Sequence, residues 1–261
     1  MTTTFLKLIA VVSMLIDHTG QFIPNTPEYL RYIGRLAIPI FAYFVGIGYR
    51  KTSNKKKYMI RLYVLSVVMA FINLIINSFY NDSGDFIRNN YFATLFLIVV
   101  CIHILEKRQV KLYVHFILWQ IISFVLLVLL DWQSIVIIQQ PTGITTPFYG
   151  DILGHIMIVE GGIFFVIFGV LLYLSNNKIK LTVAYCLFNL FLFAAYAKWG
   201  GRIPSYSRLW FPFADYQWMM IGALPLLLLY NGKKGIGLKY FFYFFYPIHI
   251  IILYFIGENL H

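Results

Sequence analysis

Nine times along this 261-residue chain the side chains stay apolar over a stretch that a membrane crossing would need. The runs fall near 5–23, 32–49, 58–79, 91–105, 112–130, 152–174, 180–197, 216–230 and 240–257; the fourth and eighth are short. A span of about 30 Å of hydrocarbon takes roughly 17 to 24 helical residues. Backbone N–H and C=O groups find no water in lipid, so a crossing segment is a helix or a strand of a closed barrel, and runs this long and evenly apolar exclude the barrel. Composition agrees: 60% hydrophobic and 12% charged residues, with a mean hydropathy of +0.75, exclude an ordinary soluble domain. The expected fold is all-α, a polytopic transmembrane helical bundle of about nine helices forming one integral membrane domain over residues 1–261.

The basic residues orient it. Arg50 to Arg61, Lys107 to Lys111, Lys178 with Lys180, and Lys233 to Lys239 occupy every second connection and, with Lys7, place fifteen cations on one side. The other side keeps Arg31, Arg35, Arg88, Lys198, Arg202 and Arg208, with every acidic residue except Glu106. The excess of Lys and Arg on cytoplasmic loops then sets the N-terminus inside and the C-terminus outside, in a plasma or bacterial inner membrane. The net charge of +11 is this asymmetry, which removes nucleic acid as a partner and leaves membrane lipids as one. No cleavage site follows the first run, which is expected to stay as a helix. Cys101 and Cys186 stand alone in apolar runs and read as buried thiols.

Chemistry concentrates at the first run, LKLIAVVSMLIDHTG. Lys7 and His18 are eleven residues apart, which on a helix puts them about 20° apart on one face and roughly 16 Å apart along the axis. Val11 and Met14 lie between them. A cation at the surface, an apolar stripe and an imidazole deeper in suit a long, thin ligand, and an acyl-coenzyme A has that shape. The loop cations Arg50, Lys51, Lys55, Lys56 and Lys57 read either as topology and anionic-lipid contact or as partners of a nucleotide's phosphates. Arg31 is expected to snorkel to the headgroups. Arg35 lies deeper and needs an acidic partner, for which Asp17 has the matching depth. Pro39 is expected to kink the second helix just below.

Farther along, Asn73 and Asn77 suit a structural interhelical hydrogen bond. His103 and His115 read as surface histidines near helix ends. The connection from Asp131 to Gly150, with its apolar patch Ile135 to Ile138, is either a lid or an interfacial segment. The sixth helix is expected to start with Asp151 and His155 and to carry Glu160 near mid-membrane, where an ionisable group is functional by default. His249 follows Pro247 about 15 Å into the last helix. The connection KWGGRIPSYSRLWFPFAD reads either as an interfacial aromatic belt or as an acceptor-binding surface. No metal spacing occurs.

Three stretches carry a likeness: KLIAVVSMLIDHTG, YIGRLAIPIFAYF followed by YRKTSNKKKY, and YFFYFFYPIHIIILY. They resemble the TraX family of multi-pass proteins, which more distantly resembles the transmembrane acyltransferases of the acyltransferase-3 superfamily. That superfamily carries a basic residue, ten intervening residues and a histidine on its first helix; Lys7 and His18 match, with Lys where Arg is usual. The resemblance implies acetyl-CoA as donor and acetylation of an acceptor at the membrane or its outer face, for TraX itself a pilin amino terminus. It carries a catalytic role onto His18 alone. His249 resembles the final-helix histidine of the superfamily, and Arg35 follows by TraX likeness only.

The residues support that chemistry in their own right. Acyl transfer from a thioester needs a base for the acceptor's proton and a stabiliser for the oxyanion. His18 is the best base, since a reference pKa near 6.5 keeps a neutral imidazole available at about neutral pH. Arg35 or His249 is a candidate oxyanion partner, Asp17 an anchor for Arg35, and Glu160 an orienting group. The acceptor is a peptide, a glycan or a lipid-linked molecule. Two readings differ in kind: a transporter or flippase of a small or lipid-linked substrate, against which stands the absence of an internal repeat, and an accessory membrane subunit.

Overall fold

A computed structural model describes residues 1–80, 86–133, 142–199 and 216–260. Helices α1 (Thr3–Phe22), α2 (Tyr29–Gly34), α3 (Ala37–Lys51), α4 (Lys55–Phe79), α5 (Tyr91–Lys107), α6 (Val110–Gln133), α7 (Thr142–Leu153), α8 (Gly162–Leu174) and α9 (Lys178–Trp199) lead to a 3₁₀ segment, Gln217–Gly222. Helices α10 (Ala223–Leu228) and α11 (Lys239–Glu258) close the chain, and no strand occurs among the described residues. Six helical stretches are long and apolar enough to cross a membrane: Thr3–Phe22, Tyr29–Lys51, Lys55–Phe79, Val110–Gln133, Lys178–Lys198 and Lys239–Glu258. Gly162–Leu174 and Gln217–Leu228 are shorter apolar helices. Among the described residues the fold is all-helical, that of a multi-pass membrane protein.

Three of the nine apolar runs are interrupted, each for a local reason. The run near 32–49 turns at Arg35 and Leu36, because Pro39 has no N–H for the Arg35 carbonyl and its ring crowds that same group. The expected kink thus falls one turn above the proline, at the arginine itself. The run near 152–174 is broken between Leu153 and Gly162, where Gly154, Gly161 and Gly162 all take positive φ (+63°, +74° and +55°) that a side chain would strain. Asp151 and His155 therefore do not share a helix as expected, and Glu160 sits in the turn rather than mid-helix. The run near 216–230 opens as 3₁₀, whose rise of about 2.0 Å per residue stretches twelve residues farther than an α-helix of equal length.

The chain divides into two compact units, Met1–Ile47 with Leu171–His261, and Gly48–Val170. In the first, α1 and α11 run parallel: Lys7 lies by Phe242, His18 by His249 and Phe22 by Tyr254. The start of α1 is pinned by Thr3 N on the Lys233 carbonyl (2.9 Å) and Thr4 N on that of Lys234 (3.1 Å). Tyr185 of α9, fully buried, donates to the Met220 carbonyl at 2.6 Å and holds the 3₁₀ segment in place.

In the second unit α5 is the centre, with Leu97, Ile98, Val99 and Ile102 fully enclosed. Asn77 brackets Ile87 by two hydrogen bonds of 2.9 Å, and Asn73 donates to the Asn89 carbonyl at 3.1 Å. The two asparagines thus tie α4 to the non-helical segment that leads into α5 and not to another helix. α6 turns Ile117, Ile121, Ile122, Val125 and Leu129 outward. Such a face is costly in water and neutral against lipid tails. The patch Ile135 to Ile138 and the loop cations Arg202 and Arg208 lie outside the described residues.

Candidate functional site

The polar interior of the first unit is built on α1. One uninterrupted helix carries Lys7, Val11, Met14 and His18, so the spacing expected from its period holds in the structure. Lys7 sits between two rings, its Nζ 5.9 Å from the Phe44 centroid and 5.5 Å from that of Phe242, an arrangement that holds a cation where water is scarce. Val11 and Met14 are packed inside, 5% and 8% exposed, and do not line an open groove. His18 and His249 are each 4% exposed, and Nδ1 of the first lies 2.7 Å from Nε2 of the second, the two rings nearly parallel at 6°.

The roles of the four ring nitrogens follow from one carbonyl. His249 Nδ1 is 2.7 Å from the Phe245 oxygen, which only accepts, so that nitrogen carries a proton. Neutral His249 then offers Nε2 as the acceptor, and His18 Nδ1 donates to it. The lone pair of His18 is left on Nε2. Phe245 stacks on His249 at 4.6 Å, and Phe22 and Tyr246 meet the His18 ring edgewise at 6.0 and 6.4 Å. Both rings are thereby fixed in orientation.

One residue earlier, Asp17 turns to the opposite neighbour, the α2 to α3 break. Arg35 Nη2 reaches its two oxygens at 2.6 and 2.5 Å, and Arg31 Nη1 lies 3.0 Å from Oδ1 and 2.9 Å from the Asp17 carbonyl. Arg31, expected at the headgroups, is instead drawn inward, where its Nε also reaches the Tyr216 hydroxyl at 3.3 Å. Arg35 is completed by Gln217 Oε1 at 3.0 Å and the Arg31 carbonyl at 3.1 Å. Two guanidiniums against one carboxylate leave one net positive charge beside the histidine pair. Buried charges persist only when paired and hydrogen-bonded throughout, and this cluster meets that condition.

Gly34 makes the pairing possible, since a Cβ there would collide with the Asp17 side chain. Gly34→Ala is expected to destabilise the protein by about 1 to 3 kcal/mol, the usual range for overpacking, read as a lower Tm in detergent together with loss of the Asp17 geometry. A neutral thermal shift would show that α2 has room to move.

The remaining residues singled out in the sequence belong to the second unit. Glu160 Oε2 accepts from Asn90 N at 2.8 Å, and Asn90 Nδ2 donates to Asp151 Oδ2 at 2.7 Å, so the two carboxylates share one asparagine. Lys55 is held by Glu106 at 2.5 Å and lies 4.4 Å over the Tyr49 ring, while Arg50, Lys51, Lys56 and Lys57 are exposed. Tyr216, Gln217 and Tyr246, all in contact with the first-unit cluster, were not legible as site residues. Gln217 had one weak signal, an amide inside a short apolar run.

Comparison with known proteins gives the chain a family. The family model described as TraX protein matches residues 2–142, more than half of the chain. The chain belongs to the TraX family. The matched part of this TraX chain holds Lys7, Asp17, His18, Arg31 and Arg35, whereas Gln217 and His249 lie beyond it. A relative named probable fimbrial assembly protein FimC, serogroup H1, from Dichelobacter nodosus, is 29% identical over 268 residues, covering 95% of this TraX chain and 92% of that protein. The uncharacterized protein RP591 of Rickettsia prowazekii (strain Madrid E) is 41% identical over 44 residues, covering 17% of this chain and 18% of that one. No solved structure matches.

Proposed function

We propose that the first unit transfers an acetyl group from cytoplasmic acetyl-CoA to an amine or hydroxyl at the membrane or its outer face, with His18 as the base. The observation that carries this reading is the hydrogen-bonded row from the Phe245 carbonyl through His249 to His18, which leaves the lone pair on His18 Nε2. In the reaction the acceptor's nitrogen or oxygen forms a bond to the thioester carbon, its proton passes to His18 Nε2, and the carbon–sulfur bond breaks. The departing thiolate takes that proton, so His18 returns to its neutral state. His249 holds the imidazole in the working tautomer. Arg35 gives Nε to the Arg31 carbonyl, Nη1 to Gln217 Oε1 and Nη2 to both Asp17 oxygens, so most of its donors are spent on the protein and its main contribution is the positive field of the Arg31–Asp17–Arg35 cluster.

Donor entry follows from packing. Val11 and Met14 are buried, so a pantetheine arm reaches His18 only when α1 and α11 part, and Pro247, inside α11, weakens that helix two residues from His249. Lys7 marks the entrance, and the exposed cations Arg50, Lys51, Lys56 and Lys57 draw the donor's phosphates to the membrane surface by their field. The fimbrial-assembly name of the Dichelobacter relative, with the TraX resemblance to pilin acetylation, favours a peptide amino terminus as acceptor. Lys7→Glu is expected to weaken acetyl-CoA binding severalfold at unchanged expression, measured by calorimetry on purified protein. Unchanged affinity at physiological salt would remove Lys7 from the donor site.

We further propose nine crossings with the N-terminus inside. The parallel course of α1 and α11 supports an odd number, with the two chain ends on opposite faces. A cysteine at Asn25 or Asn259 is expected to react with an impermeant maleimide added outside intact cells, and one at Asn231 or Ser53 to stay unlabelled. The reversed pattern would invert the orientation. Transport is the competing reading, favoured by the Asp151 and Glu160 carboxylates around Asn90 in the second unit. Acetyl-CoA binding by thermal shift separates the two.

A further inference from the structure

A cleft of about 750 Å³ in the second unit shares with the chemistry above only Lys56, one of the surface cations. It lies among α4, α5, α6 and the end of α7, and its volume falls within the range of small-molecule sites. Its polar groups are not scattered. Lys56 at the start of α4, His103 near the end of α5 and His115 near the start of α6 line one end, where the three helices meet the same membrane face. About one to two turns deeper, Trp119, Tyr63 and Phe96 line the other end.

The walls are fastened. Trp119 Nε1 donates to the Leu153 carbonyl and the Tyr63 hydroxyl to that of Ile152, both at 2.8 Å, so α6 and α4 are each tied to α7. Phe96 packs 5.1 Å from Tyr63 and 6.2 Å from Trp119. At the polar end, His103 Nδ1 is held by the Tyr49 hydroxyl at 2.7 Å. Ile60, on the edge of the cleft, is 50% exposed, so the space opens sideways into the bilayer.

We propose that this cleft binds an anionic phospholipid, its phosphate among Lys56, His103 and His115 and one acyl chain along the aromatic wall. One lysine cation with two imidazoles beside it, at headgroup depth over an apolar interior between helices, complements that chemistry. Lys56 donates outright; His115 Nδ1 already faces the Lys111 carbonyl at 2.5 Å and His103 Nδ1 the Tyr49 hydroxyl, so each imidazole adds a donor to the phosphate when it takes up a proton beside that anion, and the side opening lets the second chain stay in the bilayer.

The test uses full-length protein in nanodiscs of phosphatidylcholine with graded phosphatidylglycerol, followed by native mass spectrometry. Wild type is expected to retain phosphatidylglycerol over phosphatidylcholine by about fivefold or more, as about one well-placed cation confers, and Lys56→Gln to bring the ratio near parity. Phosphatidylglycerol brominated on its acyl chain is expected to quench tryptophan emission more than brominated phosphatidylcholine, a difference lost in Trp119→Phe. Equal retention of the two lipids by wild type, a ratio unchanged in Lys56→Gln, or displacement of phosphatidylglycerol by an equimolar fatty acid would each overturn the assignment. Acetyl transfer is not read in this experiment, so its outcome is separate from that of the proposed activity.

Discussion

Replacing His18 by Ala is expected to lower acetyl transfer by two to four orders of magnitude, the usual loss for a removed general base of about that strength, while acetyl-CoA binding persists. Binding survives because Lys7, held between Phe44 and Phe242, lies about eleven residues away on the same helix and does not depend on the imidazole. His249→Ala is expected to reduce the rate less, since the neutral His18 ring remains but loses the partner that fixes its tautomer. His249→Asn, which keeps a hydrogen-bond acceptor near His18 Nδ1, should recover part of that loss. If His18→Ala turns over almost normally while His249→Ala is dead, the base belongs to α11.

Arg35→Ala is expected to produce the largest fall in stability of any single change in the first unit. It leaves Asp17, 7% exposed, with Arg31 as its remaining ion partner and deprives Gln217 of a donor. Breaking a buried pair by removing one partner costs about 3 to 5 kcal/mol, and the surviving Arg31 contact places this case near the lower end. Asp17→Asn combined with Arg35→Met removes both charges and should recover part of the loss, because Arg31 keeps the Asp17 carbonyl and Gln21. Equal unfolding temperatures for Arg35→Ala and wild type would mean that the cluster is solvated and not a buried network. A double variant less stable than Arg35→Ala alone would mean the charges stabilise the unit outright.

The two variants also mark where sequence reading works in this chain. Lys7 and His18 share a face because α1 is one unbroken helix, and period alone is enough to see that. Asp17 and Arg35 were pairable by depth, since each stands about one turn inside the same apolar boundary. The inward turn of Arg31 was not readable: i, i+4 spacing places it beside Arg35 but does not say whether the helix end tilts toward α1 or toward the headgroups. Gln217 joins the cluster through a 3₁₀ segment, and an apolar run broken by one amide carries no sign of that geometry. Glu160 illustrates the opposite error. Hydropathy runs smoothly from Ile152 to Leu174, yet three glycines at positive φ stop the helix, and the carboxylate lies in a turn of the second unit with Asn90 and Asp151.

The most direct test is transfer itself. Purified protein reconstituted in vesicles, supplied with acetyl-CoA labelled in the acetyl group and a peptide with a free amino terminus, should yield the acetylated peptide and free coenzyme A in equal amounts. The predicted result is stoichiometric transfer by wild type and none above background by His18→Ala under saturating donor. Label on the peptide at the same rate with His18→Ala, or no binding of acetyl-CoA by folded wild-type protein, would contradict the assignment of this unit as an acetyltransferase.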